Sequence, residues 1–254
     1  MDLDPWLARA ARRRPDHPAL ILADGSVTTY AQLHAAAVRT AGVLVARGVG
    51  VGDRVAIALP AGPAFAATLH ATLMLGARAV PVDLRLSAAE RAQRAAGAEL
   101  VNEPLLDGDP PPTAPVPDPP LLARLDPGAV ATVVHTSGTT SAPKPVSLTI
   151  GNWCFNALGS ALALGLDPED RWLCTLPLSH VGGLSILLRS AIYGTTLVLH
   201  ERFDAAAVAE ALATQRITLV SLVATTLART LDAARARPAR PGALAPHLRV
   251  ALLG

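Results

Sequence analysis

The chain is short of charge, of cysteine and of unbroken apolar spans, and each shortage removes a class of function. Only 17% of the 254 residues are charged and the net charge is +2. A nucleic-acid binder ordinarily shows a basic face. The only basic run here is Arg12-Arg13-Arg14, expected to be a solvated helix end, so no nucleic-acid partner is expected. Two cysteines, Cys154 and Cys174, lack any metal-ligand spacing. They are expected to be buried, reduced thiols of a cytoplasmic protein. Met1-Asp2-Leu3-Asp4-Pro5 carries acids and no apolar core, so it does not read as a secretory signal. Two uncharged stretches raise the membrane question. Pro60, Gly62, Pro63 and His70 break the one at 55–77, and Gly151, Asn152 and Gly159 break the one at 145–166. Neither is expected to span a bilayer.

What remains is 51% hydrophobic sequence, enough for a substantial core. Asp4 and Pro5 are expected to open a short helix. Asp24-Gly25 between apolar runs predicts a hairpin. Thr29 with Gln32 and Ser87 with Glu90 predict capping boxes, and Gly48 ends the helix that Thr29 opens. Strand and helix patterns alternate through Asp83, which predicts a parallel sheet faced by helices. Proline crowds 102–120 and denies backbone donors there. The expected organisation is a first α/β subdomain at 1–101, a proline-rich linker at 102–128 and a second α/β subdomain at 129–254. In the second, strands are expected at Trp172–Leu176, Thr195–Leu199, Leu219–Val223 and Val250–Leu253. Helices are expected from Asn152, Ala205 and Thr225. No internal repeat is evident.

The densest chemistry lies in Thr136-Ser137-Gly138-Thr139-Thr140-Ser141-Ala142-Pro143-Lys144-Pro145, directly after the apolar run Ala129–Val134. Hydroxyls, free N–H groups and a cation at the carboxyl end of a buried strand suit a polyphosphate. A Ser/Thr-rich surface turn would have a similar composition. The segment is not the phosphate loop of nucleotide hydrolases. After Gly138 and four intervening residues stands Pro143 rather than a second glycine, and no hydroxyl follows the lysine.

The segment instead resembles the signature of the adenylate-forming superfamily of acyl-CoA synthetases, peptide-synthetase adenylation domains and luciferases, Thr-Ser-Gly-Thr-Thr-Gly-x-Pro-Lys-Gly. Ser141 and Pro145 replace two of its glycines. Asp53–Pro60, Ala64–Leu75 and Gly76–Asp83 are similar to the superfamily's first strand, helix and following strand. Leu176-Pro177-Leu178-Ser179-His180-Val181-Gly182-Gly183-Leu184 matches its Pro-Leu-x-His-x-x-Gly-Leu segment. Ser185–Gly194 and Glu201-Arg202-Phe203-Asp204 look like the o-succinylbenzoate–CoA ligase branch of menaquinone biosynthesis.

The resemblance implies an α/β sheet sandwich of two related halves and an ATP-dependent acid–CoA ligase. Such an enzyme forms an acyl-adenylate and then a thioester. It implies ATP and Mg2+, coenzyme A as co-substrate, and a small carboxylic acid as partner. Thr136, Ser137, Gly138, Thr139, Thr140 and Lys144 would hold phosphate, with Thr140 also at the metal. His180 would orient the carboxylate between acyl pocket and α-phosphate. Gly182, Gly183, Arg189, Thr225 and Arg229 would line the acid's site.

Bland readings stand beside these. Arg189 would brace the sheet through an ion pair, and Arg229 would be solvated. Asp83 and Asp204 would be helix caps, His135 would close its strand, and Trp153 and Trp172 would be core. In the superfamily the adenine-binding strand and a small C-terminal domain with its catalytic lysine follow the last strand found here. The chain thus looks like an N-terminal portion, expected to be inactive alone. Another aryl or fatty acid, or a nucleotide- or acyl-binding fragment without catalysis, are the alternatives. Oligomeric state stays open, a homodimer among the options.

Overall fold

The computed structural model describes residues 3–105, 118–136, 144–236 and 245–253. After helix α1 (Trp6–Arg13), the hairpin β1 (Pro18–Leu22) and β2 (Val27–Thr29) turns at Gly25 and leads into α2 (Tyr30–Ala46). Thr29 accepts from Gln32 N, and Gln32 returns the bond to Thr29 N. Gly48, at φ +88°, follows the helix end. Then come β3 (Arg54–Ile57), α3 (Pro63–Met74), β4 (Arg78–Pro81), α4 (Ala88–Ala95) and β5 (Glu99–Val101). Ser87 caps α4 as expected. Next are β6 (Val130–Thr136), β7 (Lys144–Thr149), α5 (Ile150–Leu164), β8 (Arg171–Cys174) and α6 (Val181–Tyr193). The described residues close with β9 (Thr196–Leu199), α7 (Ala205–Thr214), β10 (Leu219–Leu222), α8 (Ala224–Arg235) and β11 (Val250–Leu253).

Two sheets form, in the orders β5-β3-β4-β6-β7 and β11-β10-β8-β9-β1-β2. Each is parallel except for one antiparallel edge strand, β7 or β2. Each of those edge strands runs into a helix through a threonine capping box, at Thr149 with Asn152 and at Thr29 with Gln32. The two halves therefore share a local design. The sheets do not follow the division at 102–128. β1 and β2 join the sheet built from later strands, and β6 and β7 join the sheet of β3, β4 and β5. Sequence nearness gave the subdomain expectation. Pairing follows the edge that each hairpin can extend.

Alternation along the strands builds three apolar layers. Val55 and Ile57 of β3, Trp172 and Cys174 of β8, and Leu197 and Leu199 of β9 enter one central cluster with α1, α2, α3 and α6. The residues between them face outward. Ala56 and Val80 meet Ala95 of α4, and Leu173, Val198 and Val220 meet Val208 and Leu212 of α7. Helix α3 lies within the central layer, with Phe65 to Met74 all buried. This explains why its sequence has no polar face. Trp153 and Trp172 are core, and their indoles donate to Thr132 Oγ1 and Ser221 Oγ at 3.1 Å each.

Two expectations at the start of the chain need correction. Asp4 does not cap α1; Pro5 holds the N-cap position without a side-chain bond. Asp4 instead pairs with Arg12 at 3.0 Å and Arg124 at 2.5 Å. The basic run is not wholly solvated either. Arg14 donates to Gly194 O at 3.0 Å and pairs with Glu169, tying α1 to the end of α6. No described helix is long and apolar enough to cross a membrane. The stretch at 55–77 is β3 and α3, and the stretch at 145–166 is β7 and α5.

Candidate functional site

Thr136 is the last residue of β6 and Lys144 the first of β7, and they face each other across the antiparallel ladder. Thr136 Oγ1 lies 3.5 Å from Lys144 O, and both residues are exposed. Ser137, Gly138, Thr139 and Thr140, with Ser141, lie outside the described residues. Lys144 is the only lysine in the chain. Pro145 sits opposite His135 in the outermost strand of its sheet. An edge strand is where a residue without an N–H fits a ladder. His135 stays half-buried in β6, with Nδ1 lacking a hydrogen-bond partner and burial lowering its pKa.

Strand β4 lies beside β6, with Ala79 opposite Thr132. Asp83 lies two residues beyond the end of β4. Asp83 is no helix cap. It binds Arg85 through Nε at 2.9 Å and Nη2 at 2.6 Å, and accepts from Arg85 N at 3.0 Å. That hydrogen bonding lowers its pKa to about 2, against a smaller opposing effect of burial. His180 reaches the same spot from the other sheet. Its Nε2 lies 3.5 Å from Asp83 Oδ2 and 3.4 Å from Arg85 Nη2. Asp83, Arg85 and His180 cluster beyond the end of β4, and Thr136 and Lys144 stand at the end of the neighbouring β6–β7 pair. Sequence reasoning missed Asp83 and Arg85 as site members. The signal was present, a charged pair at the end of an apolar strand.

His180 occupies the N-cap position of α6 without capping it through its side chain. Gly182 and Gly183 lie in the first turn of that helix. A Cβ on Gly183 would sit 2.5 Å from Pro177 O and 2.7 Å from Leu176 O. Gly183 therefore lets the helix seat on the preceding loop backbone.

Arg189 lies one face further along α6. It makes no ion pair among the described residues, against the bracing role expected of it. Its guanidinium donates to Ser185 O at 3.1 Å, Ser185 Oγ at 3.0 Å and Ser160 Oγ at 2.9 Å. It also stacks 4.3 Å over the Trp172 ring. Burial lowers its pKa. No carboxylate among the described residues compensates the charge, and Arg189 lines a cavity of about 350 Å³ with Phe155, Asn156, Ser160 and Leu252. A half-buried cation held only by neutral acceptors is suited to an incoming anion. Arg229 is exposed on α8 and stacks 5.1 Å from Phe203. Thr225, in the first turn of α8, is also exposed. Neither is among the residues lining the Arg189 cavity. Asp204, as expected, caps α7 by accepting from Ala207 N at 2.8 Å. Both cysteines are free, and burial pushes the Cys174 thiol up to about 12.

Comparison with known proteins gives the family. The model of the AMP-binding enzyme family matches residues 7–254. A 2-succinylbenzoate–CoA ligase of Bacillus licheniformis is 38% identical over 245 residues, covering 90% of this chain and 51% of that protein. The o-succinylbenzoate CoA synthetase of Bacillus subtilis, solved with the acyl-adenylate intermediate OSB-AMP, superposes with a TM-score of 0.88 at 34% identity. That match covers all of this chain and 54% of the other. The same synthetase solved with ATP and magnesium gives 0.88, 34% identity, and coverage of 100% and 55%. The chain spans about half the length of the curated relatives it matches.

Proposed function

We propose a function from one premise: the chain belongs to the AMP-binding enzyme family. The proposed reaction joins a carboxylic acid to coenzyme A. A carboxylate oxygen of the acid attacks the α-phosphorus of ATP, the bond to the bridging oxygen breaks, and pyrophosphate leaves. The thiol of coenzyme A then attacks the acyl carbon of the adenylate and releases AMP. Such transfers depend on positioning and charge neutralisation more than on covalent help from the protein.

In this reading Lys144 and the hydroxyls and N–H groups of Thr136, Ser137, Gly138, Thr139 and Thr140 hold the triphosphate. Magnesium, when bound, would offset the remaining charge, with the Thr140 hydroxyl in its reach. Among the described residues no group of three His, Cys, Asp or Glu could hold a metal. That donor set fits a cation held mainly by phosphate oxygens and water. His180 orients the attacking carboxylate. Thr225 and Arg229 would line the acid's path from α8.

The proposed acid is o-succinylbenzoate, for which the solved synthetase is named. Its second carboxylate would meet Arg189, and that half-buried guanidinium, without an ion-pair partner among the described residues, is the observation that carries the assignment. A monocarboxylate with an apolar tail would need no such cation. The proposed compartment is the cytoplasm, and no nucleic-acid partner is proposed.

Calorimetric titration with o-succinylbenzoate and with benzoate, in the presence of MgATP, tests the reading. Replacing Arg189 by Leu should weaken o-succinylbenzoate by about tenfold or more, the scale of a lost charge-assisted hydrogen bond, and leave benzoate unchanged. Equal losses for both acids, or none for either, would remove the dicarboxylate assignment.

A further inference from the structure

We propose that Arg85 is a positioning residue that sets the tautomer of His180, and that Asp83 holds Arg85 in place to do so. A guanidinium has only donors to offer. Arg85 Nη2 stands in hydrogen-bonding range of His180 Nε2, at 3.4 Å. For a neutral imidazole that contact requires a lone pair on Nε2 and therefore a proton on Nδ1. Asp83 Oδ2, at 3.5 Å, is an ion-pair partner for the ring only when the ring is protonated.

Asp83 does its work on Arg85. Its two oxygens grip Nε and Nη2 in the forked arrangement that fixes a guanidinium plane. The backbone N–H of Arg85 closes the same turn onto Oδ1. The orienting pair comes from the end of β4 in one sheet, and the oriented ring comes from the start of α6 beside the other. The Arg85 side chain is 68% exposed and that of His180 47%, so a ligand can reach the ring.

The tautomer matters for the chemistry proposed above, on which the purpose of this inference rests. A ring protonated on Nδ1 and bonded through Nε2 has an N–H left for a carboxylate or phosphate oxygen. The opposite tautomer, with Nε2–H turned to Asp83, would leave a lone pair that repels an anion.

Long-range proton–nitrogen spectra of the histidine-labelled chain at neutral pH test the inference, with His180 assigned from a His180→Gln variant. The parent is expected to carry its His180 proton on Nδ1. Arg85→Ala should shift that proton toward Nε2, and Arg85→Lys, which keeps a donor, should restore part of the parent state. Asp83→Asn, which loosens the guanidinium, should give a mixture of tautomers. A parent protonated on Nε2, or a tautomer indifferent to Arg85→Ala, overturns the inference. Adding o-succinylbenzoate to the same samples separates the two claims. A tautomer that answers to Arg85 in a protein that ignores the acid removes the acid assignment and leaves this inference standing. An Arg85-independent tautomer in a protein that binds the acid does the reverse.

Discussion

Gly182 and Gly183 are sequence neighbours with opposite tolerances. A Cβ on Gly182 would meet only the end of the Leu176 side chain, at 3.3 Å, whereas on Gly183 it would strike backbone oxygens. Flexible side chains yield; carbonyls fixed in a loop yield only with the backbone. Gly183→Ala is therefore expected to cost roughly 2–3 kcal/mol, the range for overpacking a tight site, and Gly182→Ala less than about 1 kcal/mol. Urea denaturation of the two variants checks this, and equal losses would contradict it. The same pair shows how far residue types were legible. The two glycines marked a close approach, but glycine does not say whether backbone or ligand is the neighbour. Lys144 and Thr136 were legible as a cation and a hydroxyl of one segment, but not as facing residues of an antiparallel pair. Arg189 was legible as a cation in an apolar run, but the absence of a carboxylate beside it was not. That depends on Ser160 and Trp172, which come to it from α5 and β8.

At the level of elements, the capping boxes carry much of the local instruction. Thr29→Ala removes the acceptor for Gln32 N, one of the first-turn donors that a helix leaves without an intrahelical partner. It should cost about 1 kcal/mol, seen as a lower denaturation midpoint with an unchanged slope. An unchanged midpoint would mean that tertiary packing alone defines the start of α2. Elements with such punctuation were legible: the Asp24-Gly25 hairpin, both expected boxes, the Asp204 cap of α7, and the parallel strands of apolar residues. Thr149 was missed as a cap because its partner is Asn152, not the Glu or Gln that marks the motif, so α5 begins two residues earlier than Asn152. β5 was missed because its three residues include the charged Glu99 and the exposed Leu100; it is a short edge strand. α6 was missed because glycines at its start read as a turn, although they serve packing. Sheet membership was not legible from order along the chain, since the hairpin β1–β2 pairs with β9, far downstream.

At the scale of the whole molecule, the central layer is buried enough to make stability depend on pH. His70 is fully enclosed in α3 with Nε2 unpartnered, and burial lowers its pKa from 6.5 to about 4. Between those values the unfolded chain takes a proton that the folded chain refuses, so stability falls as pH drops through that window. His17, His34, His135 and His200 are also shifted down by burial and add to the same slope. Replacing His70 by Leu should flatten, without abolishing, the dependence of the denaturation midpoint on pH across that range. A slope identical to the parent's would show that His70 finds a proton-accepting environment when folded.

Thr136 ends β6 and Lys144 begins β7 opposite it, and the account rests on the segment they bound receiving a triphosphate. Calorimetric titration of the 254-residue chain with pyrophosphate, beside a Lys144→Ala variant, measures this most directly. The account predicts binding by the parent and a loss of about tenfold or more in the variant, the scale of one charge-assisted contact. Equal binding by parent and variant, or none by the parent, would contradict it.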